Sequence, residues 1–254
     1  MLNEKEKEKY NRQTIIPNFG QKGQIKLKNS KVLVIGLGGL GSAVLHYLVC
    51  AGVGYIGIVD KDKVELSNLN RQILHYETSV GKNKTTSAKD KMNQLNQDVL
   101  IEEFNLTLDE ENIESIISGY DFIVEASDNF ETKFLVNDTC VKIGIPFVIG
   151  GVHQFEGQII TVIPKFSACY RCVFKEIPEK GSYPTTSEEG IIGTTAGLFG
   201  VVEANEVIKF LVFKDYGKLL VNKMLYIDLQ YNTFDTFQVN RDETCSICSE
   251  NHNK

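Results

Sequence analysis

Gly36-Leu37-Gly38-Gly39-Leu40-Gly41 follows the apolar run Val32-Leu33-Val34-Ile35 and opens an amphipathic stretch; a second apolar run, Tyr55 to Val59, ends in Asp60. Strand, glycine turn, helix, strand and acid in this order make a nucleotide-binding βαβ unit. Gly36 permits the tight turn, Gly38 lets the backbone approach a phosphate, and Gly41 allows the helix to pack close to the sheet. Gly39 belongs to the same loop. The helix N-terminus supplies unpaired N–H groups and the positive end of its dipole. Asp60 stands where a carboxylate can accept hydrogen bonds from ribose hydroxyls. A glycine-rich turn that merely packs is the competing reading.

Downstream, Glu65-Leu66-Ser67-Asn68-Leu69-Asn70-Arg71-Gln72 precedes Lys84, which starts the next helical segment. The pyrophosphate of a dinucleotide needs little beyond backbone N–H groups. Two cations clustered after the ribose acid fit a more highly charged triphosphate. Asn68 and Gln72 can orient phosphate oxygens or a reacting carboxylate. Either cation alone would read as a solvated surface charge.

Ser127-Asp128-Asn129-Phe130 lies just beyond the buried parallel strand read from Asp121 to Ala126. Open α/β sheets bind their ligands at that edge. An aspartate there can hold Mg²⁺ against triphosphate oxygens. It can equally cap the helix expected from Phe130 to Ile143, as can Asn129. The residues alone leave cap and metal ligand evenly matched for Asp128.

Cys169-Tyr170-Arg171-Cys172 and Cys245-Ser246-Ile247-Cys248 are two C-x-x-C knuckles, far apart in the chain. Two such loops complete a closed, tetrahedral structural zinc site, here one that would staple the C-terminus to the body. Disulfides or a redox pair are the alternatives. The charged opening, Met1-Leu2-Asn3-Glu4-Lys5-Glu6-Lys7-Glu8-Lys9, has no apolar leader, so a cytoplasmic setting is expected, where disulfides are disfavoured. Cys50 and Cys140 fall in apolar helical segments and read as small core residues.

A length of 254 residues suits one large α/β domain with an appended element. The net charge of −6 argues against nonspecific nucleic-acid binding, which needs a basic face. Thr194 to Phe213 is the longest apolar candidate, but Glu203, Glu206 and Lys209 interrupt it, so no membrane span is expected. Strands and helices alternate to about Gly150, which predicts a doubly wound, mainly parallel sheet. Beyond it, Gln158 to Ile163, Leu219 to Asp228 and Thr233 to Val239 read as strands mostly without intervening helices. They predict a second, partly antiparallel sheet extension, a suitable floor for a protein substrate. Ala196 to Phe213 reads as a mostly buried helix, and Glu176 to Gly190 as a mobile loop over the site.

Together these elements resemble the adenylyltransferases that activate ubiquitin-like sulfur-carrier proteins, the MoeB–ThiF–HesA group, kin to the ubiquitin-activating enzymes. The resemblance runs from Tyr10-Asn11-Arg12-Gln13 through the glycine loop, the Glu65–Gln72 segment, Asp128-Asn129-Phe130-Glu131-Thr132 and Phe155-Glu156-Gly157-Gln158 to both cysteine pairs. It implies ATP at Gly36, Gly38, Gly39, Gly41 and Asp60, with Asn68, Arg71, Gln72 and Lys84 on the phosphate side. It assigns Mg²⁺ to Asp128 and Zn²⁺ to Cys169, Cys172, Cys245 and Cys248. Arg12 would reach into the partner subunit of a homodimer, joining Arg71, Lys84 and Asp128 in catalysis. The whole chain, 1–254, reads as one adenylation domain: an N-terminal helical arm (1–30), a nucleotide-binding half (31–150) and a carrier-binding half with the zinc site (151–254).

One departure stands out. Many relatives carry a cysteine in a P-T-C-A-E-x-G segment, and here Pro184-Thr185-Thr186-Ser187-Glu188-Glu189-Gly190 puts Thr186 in its place. A hydroxyl supplies no thiolate at neutral pH, so an acyl-sulfur intermediate at this position is not expected. Adenylation does not need one, because the carrier's own carboxylate is the nucleophile. The resemblance implies a carrier ending in Gly-Gly, a separate sulfur donor such as a cysteine desulfurase, and a thiamine, molybdopterin or related sulfur pathway. Activation of a carboxylate on a peptide, or a zinc-stapled NAD-binding or scaffold protein, are the other functions that these motifs allow.

Overall fold

A computed structural model describes residues 1–179, 182 and 186–249, the side chains of residues 186 and 187 excepted. The expected loop from Glu176 to Gly190 therefore lies partly outside the described residues, as do Pro184, Thr185 and the Thr186 side chain. In chain order the helices are α1 (Glu4–Lys9), α2 (Asn11–Thr14), α3 (Gly20–Lys28), α4 (Gly39–Ala51), α5 (Lys84–Leu95), α6 (Ile113–Ile117), α7 (Phe130–Ile143), α8 (Tyr170–Val173), α9 (Thr186–Glu189) and α10 (Gly193–Phe213). The strands are β1 (Lys31–Ile35), β2 (Tyr55–Val59), β3 (Leu100–Phe104), β4 (Phe122–Glu125), β5 (Phe147–His153), β6 (Glu156–Val162), β7 (Lys223–Asp228) and β8 (Thr233–Gln238).

All of these strands join one sheet in the order β3-β2-β1-β4-β5-β6-β7-β8. The first five in that order pair in parallel, and β6, β7 and β8 follow antiparallel. The C-terminal strands thus extend the same sheet and do not form a second one. The reason is β5: its residues 147–149 pair with β4, while its full length from Phe147 to His153 also pairs with β6. From β1 the chain proceeds outward to β2 and β3, then crosses back to β4 on the other side. The β1/β4 gap is therefore the topological switch point where ligands of such sheets bind.

Parallel strands carry apolar side chains on both faces, as Val32-Leu33-Val34-Ile35 and Phe122-Ile123-Val124 do, so both faces need cover. One face packs Leu45, Leu48, Phe199 and Phe210 from α4 and α10. The other packs Ile117 from α6 with Phe134 and Cys140 from α7, and continues to Cys169 and Cys245. Among the described residues no helix is long and apolar enough to cross a membrane.

Two polar positions taken as breaks in an apolar run are buried. Glu206, 1% exposed, accepts from the Thr161 hydroxyl and the Leu220 N–H, both at 2.7 Å, and pairs with Lys209. Glu203 is fully buried, and both carboxyl oxygens lack a hydrogen-bond partner. Burial pushes its carboxyl well above the usual range, with Lys133 opposing and Glu125 reinforcing the shift. Cys50 corrects the expectation in the other direction. It is exposed on α4, whereas Cys140 is buried as expected.

Glu203 makes a testable case. A native carboxyl with a raised pKa holds a proton that the unfolded chain releases, so its favourable contribution is complete below about pH 4.3 and fades as pH rises towards the native pKa. Glu203→Gln removes that loss. Denaturant unfolding at about pH 5 and about pH 8 is expected to show the variant gaining on the native protein at the higher pH. Parallel pH profiles would mean that Glu203 is ionised in the fold.

Candidate nucleotide and metal sites

The glycine loop turns at Gly36 with φ +91°, a left-handed value that favours glycine. A Cβ there would lie 2.7 Å from the Ala126 carbonyl oxygen, so the loop presses directly on the end of β4. At Gly41 a Cβ would fall 1.9 Å from the Gly36 carbonyl oxygen. Gly41 thus allows α4 to pack against its own preceding loop, which refines the expected helix–sheet contact. At Gly38 the nearest atom to a Cβ would be Gln72 Nε2 at 3.8 Å, which leaves room beside the N-terminus of α4.

Asp60 ends β2 and folds back onto this loop. Its Oδ2 accepts the Leu37 N–H at 2.8 Å and its Oδ1 the Asp62 N–H at 2.8 Å. Burial raises the Asp60 carboxyl, while Lys84 and those two backbone donors pull it back. Beyond Asp62 the chain makes an excursion and returns: Val64 N–H meets the Lys82 carbonyl at 2.9 Å, and Lys63 bridges Asn83. The return sets Lys84 at the start of α5, 3.1 Å from Asp62 and 4.0 Å from Asp60. Asp62 was missed in the sequence. Its signal was the short spacing after Asp60.

The excursion carries the remaining polar candidates. Asn68 is buried and its Oδ1 accepts the Glu65 N–H at 3.1 Å. Gln72 is 4% exposed and its Oε1 has no partner. Arg71 donates to the Ser67 carbonyl and the Asn70 side-chain oxygen, both at 3.1 Å. Both acceptors are neutral, and among the described residues the guanidinium pairs with no carboxylate.

The capping role open to Asp128 is taken by its neighbour. Asn129 caps α7, its side chain accepting the Thr132 N–H at 2.8 Å. Asp128 is exposed and makes no hydrogen bond or ion pair among the described residues. Behind it stands a buried pair that sequence reading missed. Lys133 Nζ donates to Glu125 at 2.6 Å, to the Ser127 carbonyl at 2.8 Å and to the Gly150 carbonyl at 2.6 Å. Glu125 also accepts from the Ser127 N–H and hydroxyl. These bonds hold the turn from which Asp128 projects. The available signal was a charge, Glu125, closing an otherwise apolar strand.

Arg12 is not brought to this loop in its own chain. It is exposed on α2, and the next residue, Gln13, donates to the Ala51 carbonyl at 3.2 Å. Ala51 ends α4 and Gly39 starts it. At 1.5 Å per residue that separates Arg12's anchor from the loop by about 18 Å.

The four knuckle cysteines converge, with their sulfurs all within 4.8 Å of one another. Cys169–Cys172, Cys169–Cys245 and Cys172–Cys248 sulfurs lie 4.0, 3.6 and 3.4 Å apart. Tetrahedral zinc with bonds of about 2.3 Å needs sulfurs about 3.8 Å apart, so the set could take that ion with side-chain shifts of about 1 Å or less. Hydrogen bonding to Cys172 and Cys248, together with burial, pushes the Cys169 thiol up, a proton that a divalent cation would displace. Arg171 forks onto Asp138 of α7 at 2.8 and 2.7 Å, and the Tyr170 N–H donates to Asn137 at 2.8 Å. The first knuckle is thereby fixed to α7, and the second closes over it.

Metal analysis of the purified protein is expected to find about one zinc per chain. Cys248→Ser should release it and lower the thermal midpoint, with catalysis affected only through lost structure. A metal-free protein of undiminished stability would exclude the site.

Comparison with known proteins agrees with this geometry. The ThiF family matches residues 10–247. The "SAMP-activating enzyme E1" of Haloferax volcanii is 40% identical over 96% of this chain and 89% of that protein. The "Sulfur carrier protein adenylyltransferase" of Thermus thermophilus is 40% identical over 96% of this chain and 92% of its own. Among solved structures, E. coli MccB with ATP superimposes with a TM-score of 0.80 and 27% identity, covering 90% of this chain and 69% of MccB. A match that takes in nearly the whole chain, the glycine loop included, shows that the chain belongs to the ThiF family.

Proposed function

We propose that this protein uses ATP to adenylate the C-terminal glycine of a small ubiquitin-like sulfur carrier, releasing pyrophosphate. The observation that carries the reading is the convergence at the β1/β4 switch point. There the glycine loop, the Asp60–Lys84 pair and an Asp128 relieved of capping by Asn129 gather at one edge of the sheet. The 40% identity to a sulfur carrier protein adenylyltransferase supports the same substrate class.

In this reading each group has a task. N–H groups at the start of α4 receive phosphate oxygens, with the helix dipole behind them. Each Asp60 oxygen accepts one backbone N–H and keeps a lone pair for a ribose hydroxyl. Arg71, paired with no acid among the described residues, and Lys84, released from Asp62, offset triphosphate charge. Gln72, with its unpartnered oxygen, orients the groups beside Gly38. Asp128 would hold Mg²⁺, which when bound would neutralise phosphate oxygens. The carrier carboxylate then attacks the α-phosphorus, the bond to pyrophosphate breaks, and an acyl-adenylate leaves for a separate sulfur donor such as a cysteine desulfurase. Alignment and charge neutralisation suffice, so no covalent bond to Thr186 is needed.

The carrier would dock on the antiparallel extension. β8 forms the sheet edge, and Tyr231, Phe234 and Phe237 on or beside it are 73%, 59% and 50% exposed. Arg12 lies at the far end of α4 from its own loop, beside Ile15 and Ile16, which are 64% and 49% exposed. Burying those isoleucines in a homodimer would let Arg12 serve the partner's crevice. The cellular role is a thiamine, molybdopterin or related sulfur pathway, in the cytoplasm.

Carrier-dependent exchange of pyrophosphate into ATP tests the reading, and tight NAD binding without an ATP response would defeat it. Asp128→Ala is expected to lower exchange by about a hundredfold or more. Its thermal midpoint should not change, because Asn129 keeps the cap. Full exchange in that variant would remove Asp128 from the mechanism. Mixing Arg12→Ala with Asp128→Ala protein should restore part of the activity in heterodimers. No recovery despite proven subunit exchange would deny Arg12 a role across the interface.

A further inference from the structure

One buried histidine touches the glycine loop from behind. His75 is 4% exposed; its Nε2 lies 3.2 Å from the Leu37 carbonyl oxygen and its Nδ1 lies 3.0 Å from Ser87 Oγ. A carbonyl only accepts, so the ring proton sits on Nε2 and Nδ1 accepts the Ser87 hydroxyl proton. Lys91 completes the direction, donating to Ser87 Oγ at 3.2 Å and to Ser79 Oγ at 3.1 Å, with its ammonium 3.9 Å from the Tyr76 ring centroid. The donors therefore run one way, from Lys91 to Ser87 to His75 to Leu37. Burial holds the imidazole down to about 4, so the ring is neutral at physiological pH and Nδ1 remains an acceptor.

Leu37 is held at its other end as well, its N–H bound to Asp60 at 2.8 Å. In a planar trans peptide the carbonyl and the next residue's N–H point in opposite directions. With the Leu37 carbonyl turned onto His75, the Gly38 N–H faces away from the histidine. That N–H donates to no acceptor among the described residues.

We propose that His75 is a positioning residue for the nucleotide loop: its Nε2–H, oriented by Ser87, holds the Leu37–Gly38 peptide so that the Gly38 N–H presents to a phosphate oxygen. The role rests on the nucleotide-binding reading above and deepens it. His75 sets affinity for the phosphates without touching them.

Calorimetric titration of Mg-ATP into the full chain, His75→Leu and His75→Gln tests this. Glutamine can place an amide N–H where imidazole Nε2 stood, and leucine cannot. His75→Leu should bind about tenfold more weakly, the scale of one misdirected hydrogen bond to a charged group. His75→Gln should recover to within about threefold, even where both variants lose similar thermal stability. Equal weakening of both variants in step with their melting points, or no weakening in either, would overturn the proposal. Nitrogen NMR of the wild-type ring supplies a readout independent of folding of the variants, with the Nε2–H tautomer expected. If wild-type protein binds no ATP, the functional reading fails, and an Nδ1–H tautomer in the same spectrum would overturn the clamp itself.

Discussion

The backbone of Gly36 lies against the backbone of Ala126 and Ser127, and this contact joins the ends of β1 and β4 across the switch point. Any side chain at residue 36 would both oppose the left-handed turn and collide with the neighbouring strand. The arrangement of the remaining strand ends follows from that approach. α4 starts where the loop leaves it, Asp60 reaches back to the Leu37 N–H, and the turn carrying Asp128 rises on the other side. A parallel sheet places all these strand ends at one edge. The glycine turn decides how closely they meet.

Buried charge stiffens the same edge. Lys133 satisfies Glu125 and two backbone carbonyls at once, so its ammonium enters the protein with its three donors used. Such an arrangement is costly to disrupt, because removing one partner strands another charge in a region of low dielectric. It fixes the Ser127 backbone and leaves Asp128 exposed and unpaired. Glu203 lies in the same electrostatic neighbourhood without hydrogen bonds of its own, which is consistent with a neutral carboxyl.

The cysteine cluster works on the opposite face of the sheet from α10. Arg171, Tyr170 and the four sulfurs link α7 to the C-terminal segment. α7 also carries Lys133, so the staple and the strand-edge network share one helix. Four sulfurs around one ion would leave no open position, which would suit that structural task.

Much of the framework was legible because its signals are local. The strands named from sequence fell within a few residues of those observed, the Phe130–Ile143 helix was read to its ends, and C-x-x-C spacing identified the sulfurs that meet. Glycine spacing marked the loop, since the conformational demand of a tight turn is written in the residue itself. What tertiary structure alone decided concerns partners distant in sequence. Asp128 and Asn129 are equal as caps until one accepts the Thr132 N–H. Glu203 and Glu206 look like surface breaks until α10 is laid against α4 and the sheet, and Cys50 looks like core until its side of α4 is left bare. His75 carried no motif at all. Its position behind Leu37 depends on the excursion between Asp62 and Lys84 folding back on the loop, and residue type and spacing do not encode which backbone carbonyl a buried ring will meet.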